Sequence, residues 1–444
     1  MDLIPRHLTA KVARTLQTSR VINIVGPRQT GKTTLVRDML QTARFLSLDD
    51  EGLFSSLGLD PFGQLAGVAA EAEAAGLPVV IDEVQRLPQI TLALKRIVDQ
   101  NRRPGQFVLT GSSDVFATPK ALDSLAGRVS TLTLRPLSAA EIQRRGPCGL
   151  LDAVRDDPAD LLAALPRPLP FGRTDAIELI VRGGFPEIRP LNGAGRMERY
   201  ETYVGSIVER DVAPVADIRR PDTLRRLINQ LAHRTAEELN VASLCTALGS
   251  RKETVTGYLD VLSRLGIVHR LGAWTSSGAR KEVRSSKLHF MDMGCATALR
   301  GEDVSSFGLG AAPAALGHLL ESFVFCELEK SLPFLDRRWQ LYHWRSAPRE
   351  VDIVAEAPGR VLALFEMKAS TTVASADFHH ADWFLKDGPG HAYRGAAFVV
   401  YLGDQVLSFG PGRLALPLSI FWSYRSGSSV SARARPSGGM LRSR

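Results

Sequence analysis

The string Gly26-Pro27-Arg28-Gln29-Thr30-Gly31-Lys32-Thr33 follows the apolar run Val21-Ile22-Asn23-Ile24-Val25 and opens a helical stretch. No other feature constrains the chain as much, because a strand that passes through a glycine-bearing loop into a helix is the repeating step of a parallel α/β sheet. Gly26 and Gly31 allow dihedrals that residues with a Cβ avoid, so the backbone N–H groups between them can turn inward around an anion. Val79-Val80-Ile81 and Phe107-Val108-Leu109-Thr110 read as two further strands, too apolar for an exposed edge and each followed by polar residues. Such polar carboxyl ends line the ligand crevice of an open sheet.

The residues from Gly26 to Thr34 suit a nucleoside triphosphate. Lys32 is spaced to reach the β and γ phosphates, the Thr33 hydroxyl to ligate Mg²⁺, and the Thr34 hydroxyl to lie near the α phosphate. Asp82, at the end of Val79-Val80-Ile81, is the candidate to hold the metal through water, and Glu83 the candidate to polarise an attacking water. Ser112, just past a core strand, would orient that water. Arg128, in Leu125-Ala126-Gly127-Arg128, is the candidate to neutralise transition-state charge, from within the chain or from a neighbouring subunit. No NKxD string of the kind that reads guanine occurs, so ATP is expected rather than GTP.

At 444 residues the chain exceeds one ordinary core, given roughly 100–200 residues per domain. Five segments are expected: a P-loop ATPase domain at 1–145, a linker and helical region at 146–222, a winged-helix-like domain at 223–275, an α/β domain at 287–424 and a disordered tail at 425–444. The net charge of +8 permits a polyanionic partner without requiring one, and part of the excess lies in the tail. No apolar run approaches the roughly 18–20 residues that cross a bilayer, and Met1-Asp2-Leu3-Ile4-Pro5 lacks an apolar signal core. A cytoplasmic protein without membrane segments is expected. Cys148, Cys245, Cys295 and Cys326 are far apart, form no CxxC pair and read as reduced thiols.

Leu224 to Ala232, Val241 to Leu248 and Lys252 to Leu265 read as three helices, followed by the strand Ile267 to Leu271; this is the layout of a winged helix-turn-helix. Ser250-Arg251-Lys252 would open its recognition helix, with Thr254 and Thr256 free to bond phosphates or bases. A third domain is expected to open with the strand Leu288-His289-Phe290. It would continue through a helix at Ala315–Lys330 and strands at 340–344, 350–355 and 361–368.

The motifs together resemble bacterial and archaeal AAA-type ATPases that carry a C-terminal domain of unknown function related to the PD-(D/E)xK restriction-endonuclease fold. The resemblance rests on Gly26 to Thr34, Asp82-Glu83-Val84-Gln85, Leu109-Thr110-Gly111-Ser112-Ser113 and Leu125-Ala126-Gly127-Arg128-Val129. It extends to Gly183-Gly184-Phe185-Pro186-Glu187, Glu209-Arg210-Asp211-Val212, Glu350-Val351-Asp352 and Glu366-Met367-Lys368. It implies a restriction-endonuclease-like C-terminal domain in which Asp352 and Glu366 hold Mg²⁺, Lys368 orients the attacking water and Glu321 is the additional acid. Strand alternation puts Glu366 and Lys368 on one face.

The function expected from all of this is an AAA-type ATPase that binds and hydrolyses ATP with Mg²⁺. Its nucleotide state would be coupled to DNA or protein engagement by the C-terminal half, with a homo-oligomer among the expected assemblies. Two alternatives stand beside it: an ATP-dependent DNA nuclease, and a nucleotide-gated DNA-binding regulator with slow hydrolysis.

Overall fold

In the computed structural model the described residues are 3–111, 125, 127–154, 161–165, 167–212, 221–276, 285–308 and 313–424. Ser112 and the tail from 425 lie outside them. The first segment is a five-stranded, all-parallel sheet of β1 (Val21–Val25), β2 (Arg44–Ser47), β3 (Val79–Asp82), β4 (Phe107–Gly111) and β5 (Val129–Thr133), in the order β2-β3-β4-β1-β5. The central strands are buried on both faces, and their alternation divides them between two cores. Val21, Val79, Ile81, Phe107 and Leu109 pack with helices Pro61–Ala75 and Ile90–Gln100. Ile22, Ile24, Val80 and Val108 pack with helices His7–Leu16 and Lys32–Asp38. This opposition of successive side chains is why the strands read as unbroken apolar runs.

The middle segment contains helices Arg173–Arg182, Gly193–Ser206, Pro221–His233, Val241–Leu248 and Lys252–Arg264. A small antiparallel sheet of β6 (Glu237–Glu238), β8 (Lys287–Phe290) and β7 (Val268–Leu271) follows, with β8 in its centre. The strand expected to open the third domain thus completes the second. Its apolar residues Leu288 and Phe290 enter an apolar core that the middle segment shares with the C-terminal one.

The last segment is a six-stranded mixed sheet in the order β13-β14-β12-β11-β10-β9. Its strands are β9 (Gln340–Ser346), β10 (Arg349–Ala357), β11 (Val361–Lys368), β12 (Arg394–Tyr401), β13 (Leu407–Ser408) and β14 (Arg413–Pro417). Leu362, Leu364 and Val399 pack with Phe384 of helix His379–Lys386 on one face. Ala363, Phe365 and Phe398 pack on the other face into a core that also holds Leu319, Leu320 and Val324 of helix Pro313–Ser331 and much of the middle segment. The middle and C-terminal segments therefore share one apolar core. They are also joined through the backbone: Trp274 N–H donates to the His343 carbonyl at 2.6 Å, and His343 N–H to the Gly272 carbonyl at 3.0 Å.

Within the first segment the phosphate-loop side of the sheet is tied to the stretch after β5 by Arg6, which is buried just before the first helix. Its Nη1 donates to the Thr30 carbonyl and its Nη2 to the Arg135 carbonyl, both at 2.6 Å, and its Nε donates to Glu141 Oε1 at 3.1 Å. Burial pushes the Glu141 carboxyl upward. The Arg6 and His7 charges and two backbone N–H bonds outweigh that effect and hold it below its ordinary value. Because removing one partner strands the other as a buried charge, Arg6→Met should cost about 3 kcal/mol in denaturant unfolding. Arg6→Met with Glu141→Met should recover part of that loss. A loss below about 1 kcal/mol in the single variant would show that the guanidinium is not a structural strap.

Candidate functional site

The loop 26–31 leaves the carboxyl end of β1 and enters the helix Lys32–Asp38. Three of its residues have positive φ: Gly26 at 153°, Gln29 at 60° and Gly31 at 89°. Glycine is obligatory at Gly26, since a Cβ there would lie 2.0 Å from the Leu134 carbonyl oxygen. The Thr30 hydroxyl closes the loop on the Pro27 carbonyl at 2.8 Å. Lys32 is buried, and its ammonium donates to the Gly26 and Pro27 carbonyls, each at 2.9 Å. The turn that follows helix Lys252–Arg264 abuts this loop: a Cβ on Gly266 would stand 3.2 Å from Pro27 Cγ.

Asp82 ends β3 beside β4, so its carboxylate meets both the loop and the central strand. Thr33 Oγ1 donates to Asp82 Oδ2 at 2.9 Å, and Thr110 Oγ1 donates to Asp82 Oδ1. Glu83 follows in the left-handed region at φ 59°, its N–H directed at Thr110 Oγ1 at 3.4 Å and its carboxylate accepting from the Gln85 amide. Thr33 and Asp82 are hard oxygen donors that already converge, which fits Mg²⁺. The structure brings Lys32, Thr33, Asp82 and Glu83 together at one edge of the sheet.

Thr110 and Arg6 were missed by the sequence reading. Thr110 had a local signal, being the one hydroxyl residue in an apolar strand beside Asp82. Arg6 had none, because its partners are distant in sequence.

Arg128 lies at the opposite edge. It immediately precedes β5, its carbonyl accepts from Val21 N–H at the amino end of β1, and its guanidinium pairs with Asp99 at 2.5 Å. The phosphate loop leaves the other end of β1, about 13 Å away at the rise of a strand. The Arg128 guanidinium therefore stands away from the phosphate loop of its own chain.

The C-terminal acids converge on a cation that the sequence reading did not name. Lys287, 2% exposed, donates to Glu321 Oε1 and Glu350 Oε1, both at 2.7 Å, and lies 3.6 Å from Asp352 Oδ1. Asp352 also accepts from Met367 N–H at 3.0 Å and is hydrogen-bonded to Glu366, whose Oε1 is buried without a hydrogen-bond partner. Burial, then the Asp352 charge, pushes the Glu321 and Glu366 carboxyls well above their ordinary values. Burial likewise raises Asp352, against the pull of Lys287. Burial depresses the Lys287 ammonium, but Glu321, Asp352 and Glu350 more than reverse that effect. Lys368, the expected third member, has its ammonium bonded to Asp377. Among the described residues no set of three or more His, Cys, Asp or Glu side chains is arranged to hold a metal ion. No helix among them is long and apolar enough to cross a membrane.

Three family models match parts of the chain: an AAA domain over residues 18–143, and two domains of unknown function over 173–306 and 316–421. The second spans both the expected linker helices and the middle sheet through β8. Proteins described as uncharacterized from Mycobacterium tuberculosis and Mycobacterium bovis are each 29% identical over 371 residues, covering 83% of this chain and 74% of the relative. Among solved structures, Caenorhabditis elegans PCH-2 is 24% identical over 28% of this chain and 39% of its own, with a TM-score of 0.20. A signal transduction ATPase with numerous domains and a tetratricopeptide repeat sensor, from Pyrococcus horikoshii, is 12% identical over 73% of this chain and 48% of its own, with a TM-score of 0.26. This chain thus spans less than half the length of either structure, and likenesses of that size do not extend to overall shape. The AAA-domain match, which covers the loop and the Asp82 cluster, supports an AAA-type ATPase that binds nucleotide through a P-loop.

Proposed function

We propose that the chain hydrolyses ATP with Mg²⁺ in its first segment and uses its nucleotide state to alter engagement of DNA or a protein by its C-terminal half. The observation that carries the reading is the convergence of Lys32, Thr33, Asp82 and Glu83 around a loop with three positive φ angles. Phosphate oxygens would take over the bonds that Lys32 makes to the Gly26 and Pro27 carbonyls. Mg²⁺, held by Thr33 and by Asp82 through water, would supply charge neutralisation between the β and γ phosphates. Glu83 takes the proton of the water that attacks the γ phosphorus as the bond to the bridging oxygen breaks. Thr110 holds one oxygen of Asp82 and the amide of Glu83, so both acids are fixed by one hydroxyl.

Coupling is supported by a continuous set of contacts from the loop outward. Arg6 joins the Thr30 carbonyl to the Arg135 carbonyl, and Arg135 pairs with Glu329 on helix Pro313–Ser331. The same helix receives Ala139 N–H on Glu327 at 2.8 Å and donates from Lys330 to the Leu137 carbonyl at 3.1 Å. The helix also carries Glu321 of the C-terminal cluster. A rigid element that touches both regions can transmit a displacement of one to the other. The three helices and small sheet of the middle segment are the winged-helix candidate for DNA contact through Arg251, Lys252, Thr254 and Thr256. Arg128 is the proposed trans-acting residue of a homo-oligomer.

Lys32→Ala should weaken ATP binding by at least about 100-fold. Glu83→Gln should bind ATP within about threefold of the parent and lose at least about 100-fold in turnover, read by nucleotide titration and phosphate release. Equal turnover in Glu83→Gln and the parent would remove Glu83 as the base. Arg128→Ala should retain nucleotide affinity, lose turnover and regain part of it on mixing with Glu83→Gln, because mixed interfaces pair an intact base with an intact arginine. Co-assembly without recovery would contradict action in trans.

A further inference from the structure

The C-terminal cluster was expected to hold a divalent ion between Asp352 and Glu366. Asp352, with Glu321 and Glu350 beside it, instead receives a side chain from another segment. Lys287 belongs to β8, the central strand of the middle sheet, where it stands opposite Leu271 on β7 and Glu238 on β6. Its position is therefore set by backbone pairing on both sides. From there its ammonium reaches Glu321 on helix Pro313–Ser331 and Glu350 and Asp352 on β10. Both donor distances of 2.7 Å are those of charge-assisted hydrogen bonds.

An Mg²⁺ ion needs oxygen ligands at about 2.0–2.1 Å in near-octahedral array, and an ammonium 2.7–3.6 Å from three of the carboxylates occupies the space such an ion would need. Two cations in one buried site would repel each other strongly, since little water lies between them. The other feature of a metal-dependent centre is also engaged elsewhere, with Lys368 bonded to Asp377 rather than directed to a water near Asp352. The donor set present suits one ammonium and does not suit a divalent ion beside it.

We propose that Lys287 is the resident cation of this cluster: it fills the divalent-ion position and turns an endonuclease-like centre into a metal-free latch between the middle and C-terminal segments. The latch is independent of the ATPase reading, because none of its residues belongs to the phosphate loop. It requires Lys287 to stay charged and in place, and it predicts that removing the ammonium uncovers a metal site.

The test is Mn²⁺ titration of the full-length chain without nucleotide, followed by the paramagnetic resonance of free Mn²⁺. It compares the parent, Lys287→Met, Asp352→Asn and the double variant. Subtracting the Asp352→Asn chains removes any ion held near Thr33 and Asp82. The parent should show no Asp352-dependent site at millimolar Mn²⁺. Lys287→Met should gain one such site, at least about tenfold tighter than any Asp352-dependent binding in the parent, displaced by Mg²⁺ and absent from the double variant. If Lys287→Met is unfolded in metal-free buffer, Mn²⁺ should restore its near-ultraviolet circular dichroism, because the ion replaces the missing charge. Stoichiometric Asp352-dependent Mn²⁺ binding by the parent would overturn the proposal. So would a Lys287→Met chain that gains no site, or one that stays unfolded in Mn²⁺.

Discussion

The nucleotide site depends on the carboxylate of Asp82. One oxygen accepts from Thr33 at the start of the loop helix and the other from Thr110 on the central strand, so a single buried acid joins three adjacent parts of the sheet. A buried carboxylate is tolerated only where hydrogen bonds replace its hydration, and both donors here are side-chain hydroxyls delivered by fixed backbone. Parallel pairing sets the register: Ile81 stands opposite Leu109, which puts Asp82 level with Thr110, and Ile24 stands opposite Thr110, which puts the loop next to both. Glu83 then leaves the strand in a left-handed conformation that turns its side chain out of the β3 alternation. Backbone of that kind recurs at functional sites, where the surrounding structure holds it.

The remaining architecture is built outward from that edge. Arg6 fastens the loop carbonyl of Thr30 to the segment after β5, and helix Pro313–Ser331 fastens that segment to the C-terminal sheet. The middle and C-terminal segments share a core, and the middle segment sends Lys287 and Trp274 into the C-terminal one, so they form one mechanical unit rather than two beads on a linker. The sharing explains why β8 completes the middle sheet although its lysine serves the C-terminal acids.

Much of the first segment was legible because its central strands are apolar on both faces and its loop glycines carry a steric requirement. β2 and β5 were not read as strands, since Arg44-Phe45-Leu46-Ser47 and Val129-Ser130-Thr131-Leu132-Thr133 mix polar and apolar residues as edge strands do. The helices expected at 224–232, 241–248 and 252–265 lie within three residues of those observed, because their apolar spacing and their Gly249 and Gly266 stops are local signals. What escaped was long-range. Arg128 stands in a string that fits a catalytic arginine, yet its strand register carries it to the edge away from the loop. Asp352, Glu366 and Glu321 do meet, but the ion among them is a lysine 65 positions before Asp352, beside apolar residues that gave no hint of an acidic partner.

Asp82 is the residue proposed to serve the metal of the nucleotide site. The most direct measurement is the Mg²⁺ dependence of ATP hydrolysis by Asp82→Asn, alongside nucleotide binding measured in chelator. The amide keeps the size of the carboxylate and can still accept from one hydroxyl, so the fold should persist. Nucleotide binding without metal should stay within about threefold of the parent, while Mg²⁺-supported turnover should fall at least about 100-fold. Parent-like turnover at parent-like Mg²⁺ concentrations in a folded Asp82→Asn chain would contradict the account.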